Sequence, residues 1–489
     1  MNRKLLVLLT AVGALTLSGC KFFDNLDESY APWEGGKSVL SYSQVDLRDN
    51  NLYMNYDTMP TSGHPKLLVL PIAFSDTSLF LNETQKEQIL VDLEKAVFGT
   101  NEDTGWYSIA SYYKAVSYGK CEIQGEVAPW YSTSYLHNGV NDKAAENIVK
   151  EAVNTWKSNN PTKVKEYDSD NNGYLDGVMA IYGCPNYKNV PGLNSNMWAY
   201  TSWLSTEPNV DNPSANVFVW ASYDFMSYDT SGEVALDAHT YIHEMGHVFG
   251  LNDYYDYTDS QKLWAGAFSM QDYNIGGHDP YSLMELGWVD PYVPTESTTI
   301  TIKPFESSGD LVLLSPDFSS NSPFDEYILL EYYSPTGVNE HDCQYQYHGE
   351  YPKGPNSRGI RIWHVDSRLS QRTTSGWVTT NTIDRGNGIY TLGCTNTTYS
   401  KEQESHCSVD TRLRSYHLLD LIRQGDFGGN NTEEPLSSTH LFNNGDTFSL
   451  SKYSGYFRNI SRFNNGSRFK WNVTVNSVTA TQATITVSR

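Results

Sequence analysis

The run His243-Glu244-Met245-Gly246-His247-Val248-Phe249-Gly250-Leu251-Asn252-Asp253 constrains this chain more than any other feature. Residues four apart share one helical face, so His243 and His247 aim two imidazoles at one point if the stretch is a helix. Glu244, one residue on, stands to the side of that point. Gly250 accepts a left-handed backbone, which ends the helix and turns the chain back. Asp253 is thereby returned towards the histidines. Two imidazoles and one carboxylate supply three ligands of a tetrahedral zinc and leave the fourth position to water, the pattern of a catalytic site. Zinc lowers the pKa of such a water to about 7, and Glu244 is placed to take its proton. The spacing therefore predicts a zinc-dependent hydrolase with His243, His247 and Asp253 as ligands and Glu244 as general base. Asp256 and Glu285 are the other carboxylates to weigh for the third place. His239 lies on the same helical face, but another imidazole would close the open position, so it reads as a packed or supporting residue.

The chain begins Met1-Asn2-Arg3-Lys4, continues with a largely apolar run from Leu5 to Leu17, and reaches Ser18-Gly19-Cys20. That is the form of a secretory leader, too short in its apolar part for the ~20 residues of a membrane-spanning helix. Leu17-Ser18-Gly19-Cys20 resembles a bacterial lipobox, which predicts cleavage before Cys20, acylation of that cysteine and attachment to the cell envelope by lipid alone. Export permits disulfides, and among the remaining cysteines the late trio Cys343, Cys394 and Cys407 makes one bridge the expectation. The formal charge of -23 argues against nucleic acid as a partner. Removal of the leader takes away Arg3 and Lys4 and no acid, so the mature chain is more acidic still.

Residues 20–64 are polar and aperiodic and read as a tether or short pro-segment. From Lys66 on, apolar runs and helical periodicities alternate. Strands are expected over Lys66 to Asp76, Glu122 to Trp130, Val178 to Tyr182 and Val217 to Ala221. Helices are expected over Thr84 to Phe98, Ser108 to Tyr118, Ala144 to Trp156 and Glu233 to Phe249. This alternation makes an α/β module. After about 290, near Pro291 and Pro294, helical periodicity almost vanishes and short strands between Asn, Gly, Ser and Asp turns take over, predicting a β-rich, sandwich-like region over 291–489.

Asp168-Ser169-Asp170-Asn171-Asn172-Gly173-Tyr174-Leu175-Asp176 sets oxygen ligands at positions 1, 3, 5 and 9 of a calcium loop, with glycine at 6 and the Tyr174 carbonyl at 7. Position 12 is Met179 instead of the bidentate glutamate of an EF-hand, so a further ligand has to come from elsewhere or from water. A structural calcium is the expectation.

These motifs together resemble the immune inhibitor A family of secreted bacterial zinc metallopeptidases. The resemblance rests on Leu70 to Asp76, on Ser111-Tyr112-Tyr113-Lys114-Ala115-Val116-Ser117-Tyr118-Gly119-Lys120, on Asp168 to Gly177 and on His243 to Asp253. It continues through Phe268-Ser269-Met270, Pro280 to Trp288, Tyr327 to Tyr333 and Gly359 to Asp366. It implies a metzincin-like zinc peptidase domain of α+β or α/β class over 65–290, with Met270 in a turn beneath the zinc and peptide or protein substrates. Common family members carry a longer pro-region than the stretch after Cys20 provides, a departure from the family's pattern that leaves latency by that route open. Tyr273, three residues past Met270, is a candidate donor to the oxyanion of the reaction. The rival reading is a surface-anchored binding protein whose tyrosine-rich β region reads a glycan or adheres, and the presence of Glu244 counts against it.

Overall fold

The computed structural model describes residues 57–489 apart from 258, 260, 317–323, 350, 375, 381–388, 398–415 and 458. The leader, Cys20, most of the expected tether and Cys407 lie outside the described residues. Among those described, no helix is long and apolar enough to cross a membrane.

Three buried strands form the centre of the first sheet: β1 (Lys66–Ala73), β4 (Gly177–Tyr182) and β6 (Val217–Ser222). β2 (Gln124–Val127) and β3 (Tyr131–Ser132) pair in parallel along one side of β1, β4 and β6 follow in parallel on the other, and β5 (Tyr200–Trp203) closes the far edge antiparallel to β6. Successive side chains point to opposite faces. Leu67, Val69, Met179, Ile181, Val217 and Val219 therefore enter one core, and Leu68, Leu70, Val178, Ala180, Phe218 and Trp220 enter another. Burial on both faces is why these strands read as continuous apolar runs.

Helices cover both faces. α1 (Glu83–Phe98) starts at a capping box in which Asn82 and Gln85 exchange side-chain to backbone bonds, and it buries Ile89, Leu93 and Val97. α2 (Ile109–Val116) lies in the same layer and buries Tyr112 and Tyr113. α3 (Asp142–Asn159) takes the opposite face with Ile148, Val149, Ala152 and Val153 at helical spacing. α4 (His239–Val248) carries the histidine pair and joins the layer of α1 and α2, and α5 (Pro280–Glu285) follows with Asp279 as its cap.

α4 begins six residues later than the periodicity predicts. The backbone of the preceding turn is bonded elsewhere: the Ala235 and Leu236 N–H groups donate to the Thr104 carbonyl and the Asp237 N–H to that of Met226. Asp237 Oδ1 then accepts the His239 N–H at 2.9 Å and opens the helix. The expected tether also ends early. Met59 is fully buried, its N–H donates to the Val248 carbonyl at the end of α4, and the Trp203 indole donates to the Asp57 carbonyl. From Asp57 on, the chain is a strap across the end of the histidine helix.

Among the described residues beyond 290 the structure is β-rich, in three sheets. β7 is Thr298–Ile302, β8 Leu311–Leu314, β9 Glu326–Tyr333, β10 Gly359–Asp366 and β14 Leu419–Ile422. β14-β10-β9-β8 form an antiparallel sheet whose Leu311, Leu313, Tyr327, Leu329 and Trp363 enter the same core as Val248 and Met270. Residues on the two sides of 290 thus share one hydrophobic core. A second sheet pairs β7 with the C-terminal strands β15 (Thr447–Phe448), β16 (Asn472–Val478) and β17 (Ala483–Ser488), and the Trp471 indole ties it to the Ser315 carbonyl. The third comprises β11 (Leu369–Thr373), β12 (Gly376–Thr380) and β13 (Ile389–Leu392). The expected late disulfide does not join Cys343 to Cys394: both are buried thiols, and Cys343 Sγ lies 2.9 Å from the Tyr333 hydroxyl.

Candidate metal centre

α4 presents His243 and His247 on one face, and the backbone fixes which nitrogen each ring points forward. His243 Nδ1 donates to the Met270 carbonyl at 2.7 Å and His247 Nδ1 to the Leu251 carbonyl at 2.8 Å. Both Nε2 atoms are left to face Asp253, a division of labour typical of metal-binding imidazoles. Gly250 makes this possible: it sits at φ 98, where the chain reverses and Leu251 folds back on His247.

Asp253 Oδ1 lies 3.1 Å from His243 Nε2 and 3.2 Å from His247 Nε2. That oxygen is buried and faces both imidazoles. A tetrahedral zinc with bonds of about 2.0–2.1 Å holds its ligand atoms about 3.3 Å apart, so the spacing and the donor set fit zinc. Among the described residues, these three side chains are the one set of three His, Cys, Asp or Glu groups whose ligand atoms converge within 4.8 Å. Asp253 Oδ2 accepts from the Tyr257 hydroxyl, which orients the carboxylate. The alternatives to Asp253 are placed elsewhere. Asp256 Oδ1 accepts the Asp259 N–H in a turn, and Glu285 is buried on α5, where desolvation and then Asp279 hold its carboxyl well above the usual range.

Glu244 is buried beside this triad. The Thr201 hydroxyl on the edge strand β5 lies 3.0 Å from Glu244 Oε2 and 2.9 Å from the Glu244 carbonyl. Desolvation raises the Glu244 carboxyl, while His247 and His243 pull it back. Burial alone would depress His247, but Asp253 outweighs it and pushes the imidazole up to about 9. For Asp253 the balance is reversed: burial favours its neutral form, and the two imidazoles hold it well below the ordinary carboxylate range.

α2 braces both halves of the centre. The Tyr113 hydroxyl donates to the Ile242 carbonyl of α4 at 2.6 Å, and that of Tyr112 to the Gly276 carbonyl just beyond the Met270 turn at 3.0 Å. Gly246 of α4 lets that turn come close, since a Cβ there would sit 2.1 Å from Gln271 Oε1. Met270 is fully buried and supplies the carbonyl for His243. Tyr273 turns its ring edge-on to Tyr351, 6.0 Å away. Another phenol borders the histidine pair: the Tyr255 ring lies alongside His243 at 6.3 Å, and burial, then Asp253 and Glu244, hold its hydroxyl well above its usual range. Sequence reasoning missed Tyr255 and Thr201; for Tyr255 the signal available was its position two residues past Asp253. His239 is not directed at the triad, being fully buried between Asp237 and Asp342.

The Asp-rich loop is folded around its own amides. Asp168 accepts the N–H groups of Asn172 at 2.8 Å and Gly173 at 3.0 Å, and the Tyr174 N–H donates to Asn172 Oδ1. Asp176 accepts from Ser169 and Lys66, which latches the loop onto the start of β1. Position 9 of the expected calcium loop is therefore engaged in the fold. Asp57 of the strap joins the cluster through Asn172 Nδ2 at 2.9 Å, and desolvation followed by Asp170 pushes its carboxyl up to about 7.

No protein-family model matches the chain, and no curated protein is significantly similar to it.

Proposed function

We propose that this chain is a zinc-dependent endopeptidase, exported and anchored to the bacterial cell envelope through a lipidated Cys20, that hydrolyses peptide bonds of extracellular proteins. The observation that carries the reading is the convergence of His243 Nε2, His247 Nε2 and Asp253 Oδ1 beside the buried carboxylate of Glu244. Bound at these three atoms, zinc would supply a Lewis acid and bring the pKa of a water near 7. Glu244 takes the proton of the attacking water and returns it to the leaving nitrogen, with Thr201 holding its carboxylate in position. β5 lies at the edge of its sheet, so an extended substrate can be laid along it and bring a carbonyl to Glu244. Tyr255, ahead of Tyr273, is the phenol suited to steady the developing oxyanion.

The Met270 turn under the histidines, the parallel sheet and its antiparallel edge strand support the metzincin-like, immune inhibitor A-type reading. Calcium held by Asp168, Asp170, Asn172, the Tyr174 carbonyl and Asp176, with Asp57 as the further ligand from outside the loop, would offset the burial, and after it the Asp170 charge, that raise the Asp57 carboxyl. Purified Glu244→Ala protein tests the central assignment. Full zinc content with loss of peptide cleavage is expected, and undiminished cleavage would sink it.

A further inference from the structure

A strip of half-buried aromatic rings leads away from the metal centre, and it is assembled from segments far apart in sequence. Tyr255 stacks beside His243. Tyr273 follows the Met270 turn and meets Tyr351 edge-on at 6.0 Å. Tyr351 in turn lies 6.3 Å from the ring of His348, which stacks on Tyr228 at 3.9 Å. All five rings keep part of their surface exposed.

His348 and Tyr351 come from the β-rich half of the chain, on a loop that several bonds fix to the first sheet's module. The Thr230 N–H donates to the Tyr347 carbonyl, the Tyr347 hydroxyl reaches Asp237 Oδ2 at 2.9 Å, and Tyr351 N–H closes a turn onto the His348 carbonyl. Gly354 permits the close approach, because a Cβ there would lie 2.1 Å from the Phe268 ring. The rings are thus held in place before any substrate arrives, which is what a selective pocket wall requires.

On the peptidase reading above, we infer that this strip is a specificity wall that selects an aromatic or bulky apolar side chain within two residues of the scissile bond. Ring faces and edges are what it offers. The carboxylates nearby are engaged: Asp229 with His341 at 3.0 Å, Asp237 with His239 at 2.7 Å, Asp253 with the histidine pair, and Asp224, beside Tyr228, with the side-chain amides of Asn186 and Asn189 at 2.9 Å. A cationic side chain would have to compete with these partners, whereas an aromatic one gains the offset and edge-on contacts that rings favour.

The test is cleavage profiling of the full mature protein, loaded with zinc, on a peptide library with and without a chelator. Enrichment of Phe, Tyr, Trp or Leu at one position flanking the cut is expected. Tyr351→Ala should lower the ratio of kcat/KM for a Phe peptide to that for its Ala counterpart by roughly 5-fold, the size of a lost aromatic contact, while Tyr351→Phe preserves it. Tyr345→Ala is the control, since that exposed ring lies against His341 outside the strip. If Tyr351→Ala does not fold, by zinc content and melting temperature, Tyr228→Ala carries the same measurement. A preference for Arg or Lys, no preference, or an unchanged ratio in the folded variant would overturn the inference while leaving the peptidase reading intact. Absence of any chelator-sensitive cleavage would overturn both.

Discussion

Replacing Asp342 by asparagine tests whether the β-rich half of the chain helps to hold the histidine helix. His239 opens α4, is fully buried, and stacks on Trp106 with ring centroids 3.7 Å apart. Its Nδ1 is 2.7 Å from Asp237 Oδ1, and its Nε2 is 3.3 Å from Asp342 Oδ1. Burial alone would depress the imidazole, but Asp342 and then Asp237 outweigh it and push the group up to about 10. A folded-state pKa above the unfolded value means that the charged ring adds stability in full below about pH 6.5, and that this contribution is lost as pH rises through 10. Asparagine keeps the shape and an acceptor for the Gly276 N–H, which Asp342 Oδ2 now receives at 2.6 Å, but removes the charge. Breaking a buried pair costs about 3–5 kcal/mol, and with Asp237 still in place about 2–3 kcal/mol is expected at pH 6.5. That corresponds to a fall of several degrees in melting temperature. Thermal unfolding of wild type and Asp342→Asn, at pH 6.5 and again at pH 10.5, reads the effect: a clear gap at the lower pH that closes at the higher. An equal gap at both values would refute the electrostatic account. No gap at pH 6.5 would show that Asp342 does not anchor the helix.

Thr201→Val keeps the size and β-branching suited to an edge strand but removes the hydroxyl from Glu244. Zinc content should hold while kcat/KM falls about 10-fold, in line with loss of a hydrogen bond to a charged group; unchanged kinetics would remove Thr201 from the site. Gly246→Ala gains about 1 kcal/mol of helix propensity yet drives a Cβ to 2.1 Å from Gln271 Oε1. Overpacking of about 1–3 kcal/mol and a displaced Met270 carbonyl should weaken zinc binding about 10-fold, measured by chelator competition, with Gln271→Ala restoring part of it. A chain truncated after residue 290 should fail to give a soluble, zinc-binding protein, because Leu311, Leu313, Leu329 and Trp363 would be missing from the core around α4. A stable fragment that binds zinc with full affinity would contradict the shared core.

What the sequence made legible was local. His243, Glu244 and His247 are fixed by helical spacing, and Gly250 with Asp253 by a turn one step further along, so each could be assigned without knowing the rest of the chain. The central strands were legible for a related reason: burial on both faces left β1, β4 and β6 as unbroken apolar runs. What stayed hidden depends on partners distant in sequence. Tyr200–Trp203 has no apolar run to mark it and becomes a strand only by pairing with β6. The start of α4 is set by Thr104 and Met226, and the strap at Asp57 by Trp203 and Val248. His239 lies on the same helical face as His243 and His247, yet it is drawn to Asp342, 103 residues downstream. The boundary near 290 was a true change in local pattern, from helical periodicity to short strands. It is not a boundary of packing, because the sheet that follows buries one face on the layer that carries the histidines. The same long-range packing brings Tyr351 to Tyr273. In this chain, then, the residues that converge on the candidate metal centre lie within one short motif, whereas the residues that orient them are contributed by the whole fold.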